Sequence, residues 1–315
     1  MKDKGFYRGV NLGGWLSQCD YSEERLDHFI TESDFQQIAS WGLDHVRIPV
    51  DYNVLEDASG GYREDGFARI DRAMKLARKY GLNVVLDLHK TAGFSFDFGE
   101  QESGFFENER YQERFYRLWE ELAKRFGKDP EHVAFELLNE VTEQRFIDVW
   151  NQVSHRCIGR IRAYAPDTLI LVGSYWNNSP EAVKDLAEPY DDRVVYNFHC
   201  YSPLRFTHQG ATWTREIVQE ERYSFEEMAI TEELFEKQFQ PAIDKAKSCG
   251  VRMYCGEYGV IENATPEDTV KWYQTINRVF EKHGIARAAW SYKQMNFGLS
   301  DSRLDGVRDE LLKYL

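Results

Sequence analysis

His132-Val133-Ala134-Phe135-Glu136-Leu137-Leu138-Asn139-Glu140-Val141 begins as an apolar run and ends abruptly in an amide and a carboxylate. A run of that kind suits a strand buried on both faces in a parallel sheet. A helical pattern follows from Glu143. A buried strand that delivers an acid to the start of a loop is how a parallel α/β protein presents chemistry. Glu140 is therefore expected to work as a general acid/base, with a second carboxylate elsewhere in the chain to complete it.

The same alternation runs through the whole chain. Apolar runs begin at Phe6, His45, Val84, His132, Thr168, Val194, Arg252 and Ala286, and the intervening stretches read as helices. Thr31 with Asp34 marks one helix start, and Gly81 and Gly127 mark helix ends. Eight strand-helix repeats without a Pro/Gly/Ser linker predict an α/β fold, a (β/α)8 TIM barrel. One catalytic domain is expected over residues 1–315, with a lid-like insertion at about 202–230 after the sixth strand.

With 315 residues, 42% hydrophobic and 29% charged, the chain has the composition of a globular protein. Its formal net charge of −14 argues against nucleic acid, anionic membranes and polyanionic substrates, leaving a neutral ligand as the natural partner. Five scattered cysteines without a Cys-x-x-Cys pair favour a reducing compartment. No run approaches a membrane span and no signal sequence is visible at Met1. The expectation is a monomer, cytoplasmic or released without a signal, or secreted if a signal has been removed.

In such a barrel the working residues gather at the C-terminal ends of the strands. Those positions hold Asn11, Arg47, His89, Asn139, Glu140, His199, Tyr201, Glu257 and Trp290. Strands four and seven lie nearly opposite in an eight-stranded ring, so Glu140 and Glu257 are expected to face each other. Two carboxyl groups flanking a bond are what glycoside hydrolysis needs; about 5–5.5 Å apart they give retention and about 6.5–9.5 Å inversion. One must hold its proton while the other is an anion stabilised by a cation or donors. Glu136 and Asp87 lie inside their strands, where buried, hydrogen-bonded structural roles are expected.

At these residues the chain resembles glycoside hydrolase family 5, the retaining (β/α)8-barrel cellulases, β-glucanases and β-mannanases. The resemblance is carried by Arg47 in His-Val-Arg-Ile-Pro, His89 in Leu-Asp-Leu-His, Asn139-Glu140, His199 and Tyr201 in Phe-His-Cys-Tyr, Glu257 in Cys-Gly-Glu-Tyr-Gly, and Trp290. The opening Gly9-Val10-Asn11-Leu12-Gly13-Gly14-Trp15 and Thr207-His208-Gln209 look closest to clostridial endoglucanases acting on β-1,4 and mixed-linkage glucans. The resemblance implies Glu140 as acid/base and Glu257 as nucleophile, held ionised by Arg47 and Tyr201. It further implies that Asn139 binds the sugar 2-hydroxyl, that His199 borders the acid/base, and that Trp290 forms the platform under the sugar at the cleavage point. No cofactor and no metal are implied. Val141 stands where the family often has Pro, and Lys90-Thr91-Ala92-Gly93 replaces a common Pro-Gly turn.

Trp41, Trp119, Trp150 and Trp272 fall in helical patterns and are expected to pack against the barrel. Trp15, Trp176, Trp213 and Trp290 sit at strand ends or in rim loops, where a flat ring suits a pyranose face. With Asn11 and His208 they are the candidate substrate-binding residues. Phe94, Phe96 and Phe98 alternate on the loop after His89, as an exposed apolar rim or a small packed loop.

The reading is a retaining hydrolase of internal β-1,4 bonds in soluble β-glucans. Alternatives within the family are a β-mannanase, an exo-acting β-glucosidase or a β-1,3-glucanase. A metal hydrolase would need closely spaced ligands, and neither His-x-His nor His-Glu-x-x-His occurs. A Schiff-base aldolase would need a desolvated lysine, for which Lys90 and Lys293 are the candidates. A non-catalytic sugar-binding barrel would keep the aromatics and lose a carboxylate.

Overall fold

The computed structural model describes residues 5–97, 102–214 and 216–315. Eight parallel strands close into a barrel in sequence order. They are β1 (Arg8–Asn11), β2 (His45–Asp51), β3 (Asn83–Lys90), β4 (Val133–Glu136), β5 (Leu169–Val172), β6 (Val194–Cys200), β7 (Arg252–Tyr258) and β8 (Ala286–Ala289). Closure is direct: Gly9 of β1 is in register with His45 on one side and with Ala288 on the other. The long crossover helices are α1 (Glu32–Ser40), α2 (Glu64–Lys79), α3 (Glu109–Phe126), α4 (Ile147–Arg162), α5 (Glu232–Cys249) and α6 (Pro266–His283).

The helix ends follow the expected chemistry. Thr31 and Asp34 form a reciprocal capping box at α1. Gly250 and Gly284 end α5 and α6 in the left-handed conformation. Two helices differ from expectation. The stretch after Glu143 starts as a 3₁₀ turn, Gln144–Phe146, before α4 begins at Ile147, and the crossover between β5 and β6 is only a 3₁₀ segment, Pro180–Asp185.

The barrel floor is filled by Phe6, Val85, Ala134, Leu169, Leu171, Val195, Tyr254 and Ala288. The helices pack outside it, and three fully buried tryptophans tie them to the ends of strands. Trp119 of α3 donates to the Leu137 carbonyl at 3.0 Å, Trp150 of α4 to Gly173 at 2.8 Å, and Trp272 of α6 to Ser202 at 2.9 Å. Each satisfies its N–H while burying a large apolar ring. Trp41 packs on Tyr292. All five cysteines are free thiols.

The insertion carries one short helical turn, Leu204–Thr207, and is anchored to the loop after β7. Ile261 N–H donates to the Thr207 carbonyl at 2.9 Å, and Asn263 donates to the Gln209 carbonyl at 3.0 Å. These bonds pin residues 207–209 to the loop after β7. On the loop after His89, Phe94 is buried edge-on against Phe106, and Phe96 stands edge-on to His89, so these rings pack inward. Phe98 lies outside the described residues.

Candidate active site

The site is built in layers by the two-residue period of the strands. At the floor, His45 of β2 is bonded to Asp44 and to the Tyr254 hydroxyl at 2.7 Å. Two residues up, Arg47 is wholly buried and organises the next layer. Its Nε and Nη2 donate to both oxygens of Glu136 at 2.7 and 2.8 Å. Nη2 also donates to Asn139 Oδ1 at 2.8 Å and pairs with Asp87 at 3.0 Å. Nη1 donates to Asn11 Oδ1 and to Glu257 Oε1, each at 2.8 Å.

One guanidinium thus faces three carboxylates in a water-excluded space. Burial pushes Asp87 up to about 7 and raises Glu136 as well, against the pull of Arg47. Glu136 and Asp87 are buried and hydrogen-bonded as expected: Glu136 also accepts from Asn197 at 2.8 Å, and one oxygen of Asp87 bonds His89 Nδ1 at 2.5 Å.

Glu257 reaches the mouth through a bulge. Phe198 pairs with Cys255 but the next residue, His199, pairs with Glu257, so β7 carries one extra residue there. The slip turns Glu257 inward beside Gly256, where strict alternation would send it outward. Glycine is required at 256, since a Cβ would come 2.8 Å from Asn197 Oδ1. The Glu257 carboxylate accepts from Arg47 on one oxygen and from the Tyr201 hydroxyl on the other at 2.9 Å.

Beyond β4 the chain stays extended, held by Leu137 N–H to Leu171 on one side and Asn139 N–H to Leu88 on the other. It then turns at Glu140, which has a φ of +43°. A non-glycine residue in that region is held there by its surroundings, as happens at functional sites. Glu140 Oε1 lies 2.8 Å from His199 Nδ1, and Oε2 accepts from Asn177 Nδ2 at 3.0 Å. Burial holds His199 down to about 4, so its imidazole is neutral near neutral pH.

Single donor atoms from Glu140, His199 and Glu257 all lie within 4.8 Å of one another. Burial pushes both carboxyls up to about 7. At that distance the pair titrates as a unit and shares one proton near neutrality. The partners decide where it sits. Glu257 has a cation and a hydroxyl donor, while Glu140 meets a neutral imidazole and an amide, an arrangement that favours the anion at Glu257. The same three residues are also the described cluster with donors suited to a metal ion. The Arg47 and Tyr201 donors already on Glu257 favour an anion there over ligation of a cation.

Asn139 Nδ2 is buried and has no hydrogen-bond partner among the described residues, an N–H that costs free energy until something in the cleft accepts from it. Trp290 is joined to Ser291 by a cis peptide bond, and its ring lies parallel to His89 at 6.0 Å. Trp176 and Trp213 are about half exposed at the mouth. His208 is edge-on to Tyr201 at 4.9 Å and lies beside Trp213.

Two substrate-binding expectations fail. Trp15 is 1% exposed and donates its N–H to the Leu26 carbonyl at 2.8 Å, so it has no free face for a sugar. Asn11 is fully buried beneath the cleft, with its amide on the Gly256, Ala288 and Ala289 carbonyls and its oxygen on Arg47. It orients Arg47 and cannot touch ligand. The aldolase candidates are both ion-paired, Lys90 with Asp97 and Lys293 with Asp34. The reading of the sequence missed Asn177, Asn178 and Asn197. Consecutive asparagines in the loop a few residues after the fifth apolar run were a signal for the first two, because asparagine tolerates left-handed backbone.

Comparison with known proteins agrees with this geometry. The family model for cellulase (glycosyl hydrolase family 5) matches residues 7–296. Cellodextrinase A of Ruminococcus flavefaciens is 59% identical over 287 residues, covering 91% of this chain and 85% of that protein. Endoglucanase C of Acetivibrio thermocellus is 38% identical and covers 98% of each. The crystal structure of endoglucanase Cel5A from Thermotoga maritima superposes with a TM-score of 0.83 at 26% identity, covering all of this chain and 98% of that one. Eight strands in the expected order, a paired-carboxylate mouth and a family match across nearly the whole chain make this protein a member of glycosyl hydrolase family 5.

Proposed function

We propose that this glycoside hydrolase cleaves β-1,4 bonds of β-glucan chains and their oligosaccharides with retention, using Glu140 as acid/base and Glu257 as nucleophile. The observation that carries the reading is the asymmetric pair: carboxyl oxygens of Glu140 and Glu257 within 4.8 Å, the first open to the cleft and the second buried and held by a cation. Oxygens that approach this closely support direct attack on the anomeric carbon, as do carboxyl groups about 5–5.5 Å apart in retaining enzymes.

In the first step Glu257 forms the bond to the anomeric carbon while Glu140 gives its proton to the leaving oxygen. In the second, Glu140 takes a proton from water, which displaces Glu257. Arg47 and Tyr201 stabilise Glu257 as an anion whenever it is free. Asn139 Nδ2 offers its unused N–H to a substrate hydroxyl, and Trp290 presents its ring to the sugar face. Trp176 and Trp213 extend that aromatic surface at the rim.

The name of the Ruminococcus relative supports short cellodextrins as substrates, and that of the Acetivibrio relative supports internal cleavage. Mannan is the second reading, because a structure of the Thermotoga enzyme holds mannotriose. Initial rates on cellodextrins, barley β-glucan, carboxymethylcellulose, laminarin and mannan, with product lengths, separate these. Retention is read by NMR of the first-formed anomer, and an inverted product overturns the mechanism. Glu257→Gln should abolish turnover while leaving oligosaccharide binding measurable by calorimetry.

A further inference from the structure

After β5 the chain makes an unusual turn. Trp176, Asn177 and Asn178 are three consecutive non-glycine residues in the left-handed region, with φ of 51°, 55° and 56°. Each costs free energy there, least for asparagine. The turn is held by Asn177 N–H donating to the Val141 carbonyl at 3.0 Å, which ties it to the residue after Glu140. Its result is specific. Asn177 Nδ2 reaches Glu140 Oε2, and Asn178, fully buried, places Nδ2 3.3 Å from His199 Nε2. Gly173 makes the space: a Cβ there would meet the Asn178 amide at 2.2 Å.

A neutral imidazole has one N–H, and the bond at one nitrogen decides what the other does. With Asn178 donating to Nε2, the N–H sits on Nδ1 and points at Glu140 Oε1. Oε1 then acts as acceptor at the shorter bond, and the acid proton is left on Oε2, whose hydroxyl oxygen keeps a lone pair for Asn177 Nδ2.

We propose that Asn178 is a positioning residue which sets the His199 tautomer and thereby directs the Glu140 proton to the oxygen that serves the leaving group, with Asn177 orienting that same oxygen. The proposal rests on Glu140 being the acid/base. Among the described residues, the charged and titratable groups around Glu140 are His199 from β6, Glu257 from β7, Arg47 from β2, Glu136 from β4, Asp87 from β3, Asp97 from the loop after β3, and Tyr201. None of these addresses His199 Nε2, which is left to Asn178.

The test compares kcat/KM on cello-oligosaccharides, whose leaving group needs protonation, with kcat/KM on 2,4-dinitrophenyl β-cellobioside, whose leaving group needs none. Glu140→Ala should lose far more on the oligosaccharide. Asn178→Ala should show the same selectivity more weakly, the oligosaccharide loss exceeding the aryl loss by about 10-fold. Asn178→Asp keeps the size and the tolerance of left-handed backbone but accepts from Nε2–H, moving the N–H off Nδ1. It should be at least as selective, with a shifted basic limb of the pH profile. Equal losses on both substrates in both Asn178 variants, or no loss on the oligosaccharide, would overturn the proposal alone. Equal losses in Glu140→Ala would overturn the acid/base assignment and the proposal with it.

Discussion

Tyr201→Phe isolates one hydrogen bond in the site. The Tyr201 hydroxyl donates to Glu257 Oε2 at 2.9 Å, and Glu257 is only 5% exposed, so water does not readily replace the lost donor. The ring packs edge-on against His208 and Phe297, contacts that phenylalanine keeps. A hydrogen bond to a charged group is worth about 1.5–3 kcal/mol, and one pKa unit is about 1.36 kcal/mol, so the change corresponds to about 1–2 units. The direction follows from which form is stabilised. The hydroxyl favours the anion, so its removal raises the proton affinity of Glu257. Because the two carboxyls titrate together, the effect appears in the acidic limb of kcat/KM against pH, which should move up by about 1–2 units while the bell narrows. The profile is measured by reducing-end release from soluble β-glucan across pH 4–9, with a melting curve to confirm the fold. An acidic limb that stays in place or moves down would refute the role of Tyr201 in holding Glu257 ionised.

Three further outcomes follow from the same contacts. Arg47→Lys replaces a forked, five-donor group that spans Glu136, Asp87, Asn11, Asn139 and Glu257, and leaves buried carboxylates undercompensated; a loss of about 3–5 kcal/mol of stability is expected in denaturant titration, with activity lost in step. Burial raises Glu140 to about 7, so the folded state binds that proton more tightly than the unfolded chain; the associated stability is present below the ordinary carboxylate range and lost as pH rises through about 7. Between pH 5 and pH 8 the fall in Tm should therefore be shallower for Glu140→Gln than for the parent, and equal slopes would contradict the shift. Trp176→Ala should raise KM for cello-oligosaccharides with little change in Tm, whereas Trp15→Ala should cost about 3–5 kcal/mol of stability, since one ring is half exposed and the other is core.

Periodicity and strand-end chemistry are local properties, and they carried the reading a long way. Eight apolar runs separated by helical patterns allow few architectures, because parallel strands need helical crossovers and the short, linker-free repeats close a ring. The acid after β4 and the neighbouring His199 and Tyr201 were expected at the mouth for the same reason, since the last positions of barrel strands share one rim. Arg47, expected there too, lies lower, at the third residue of β2 and buried beneath the carboxylates.

What the tertiary structure alone decided depends on contacts between residues far apart in the chain. Glu257 points inward only because β7 slips by one residue against β6, a register that no pattern within β7 reveals. Asn11 and Trp15 carry the polar and aromatic groups expected of sugar contacts, yet β8 and the segment around Leu26 close over them and consume their hydrogen bonds. Asn177 reaches Glu140 and Asn178 reaches His199 only through a left-handed turn whose cost is offset by bonds to Val141, past β4, and to His199 of β6. The sequence by itself determined the barrel and the residues at its mouth, because burial follows short-range periodicity. Which of those residues hold a proton, which hold each other and which remain free for a sugar was settled by long-range hydrogen bonds, and those exist only once the ring is closed.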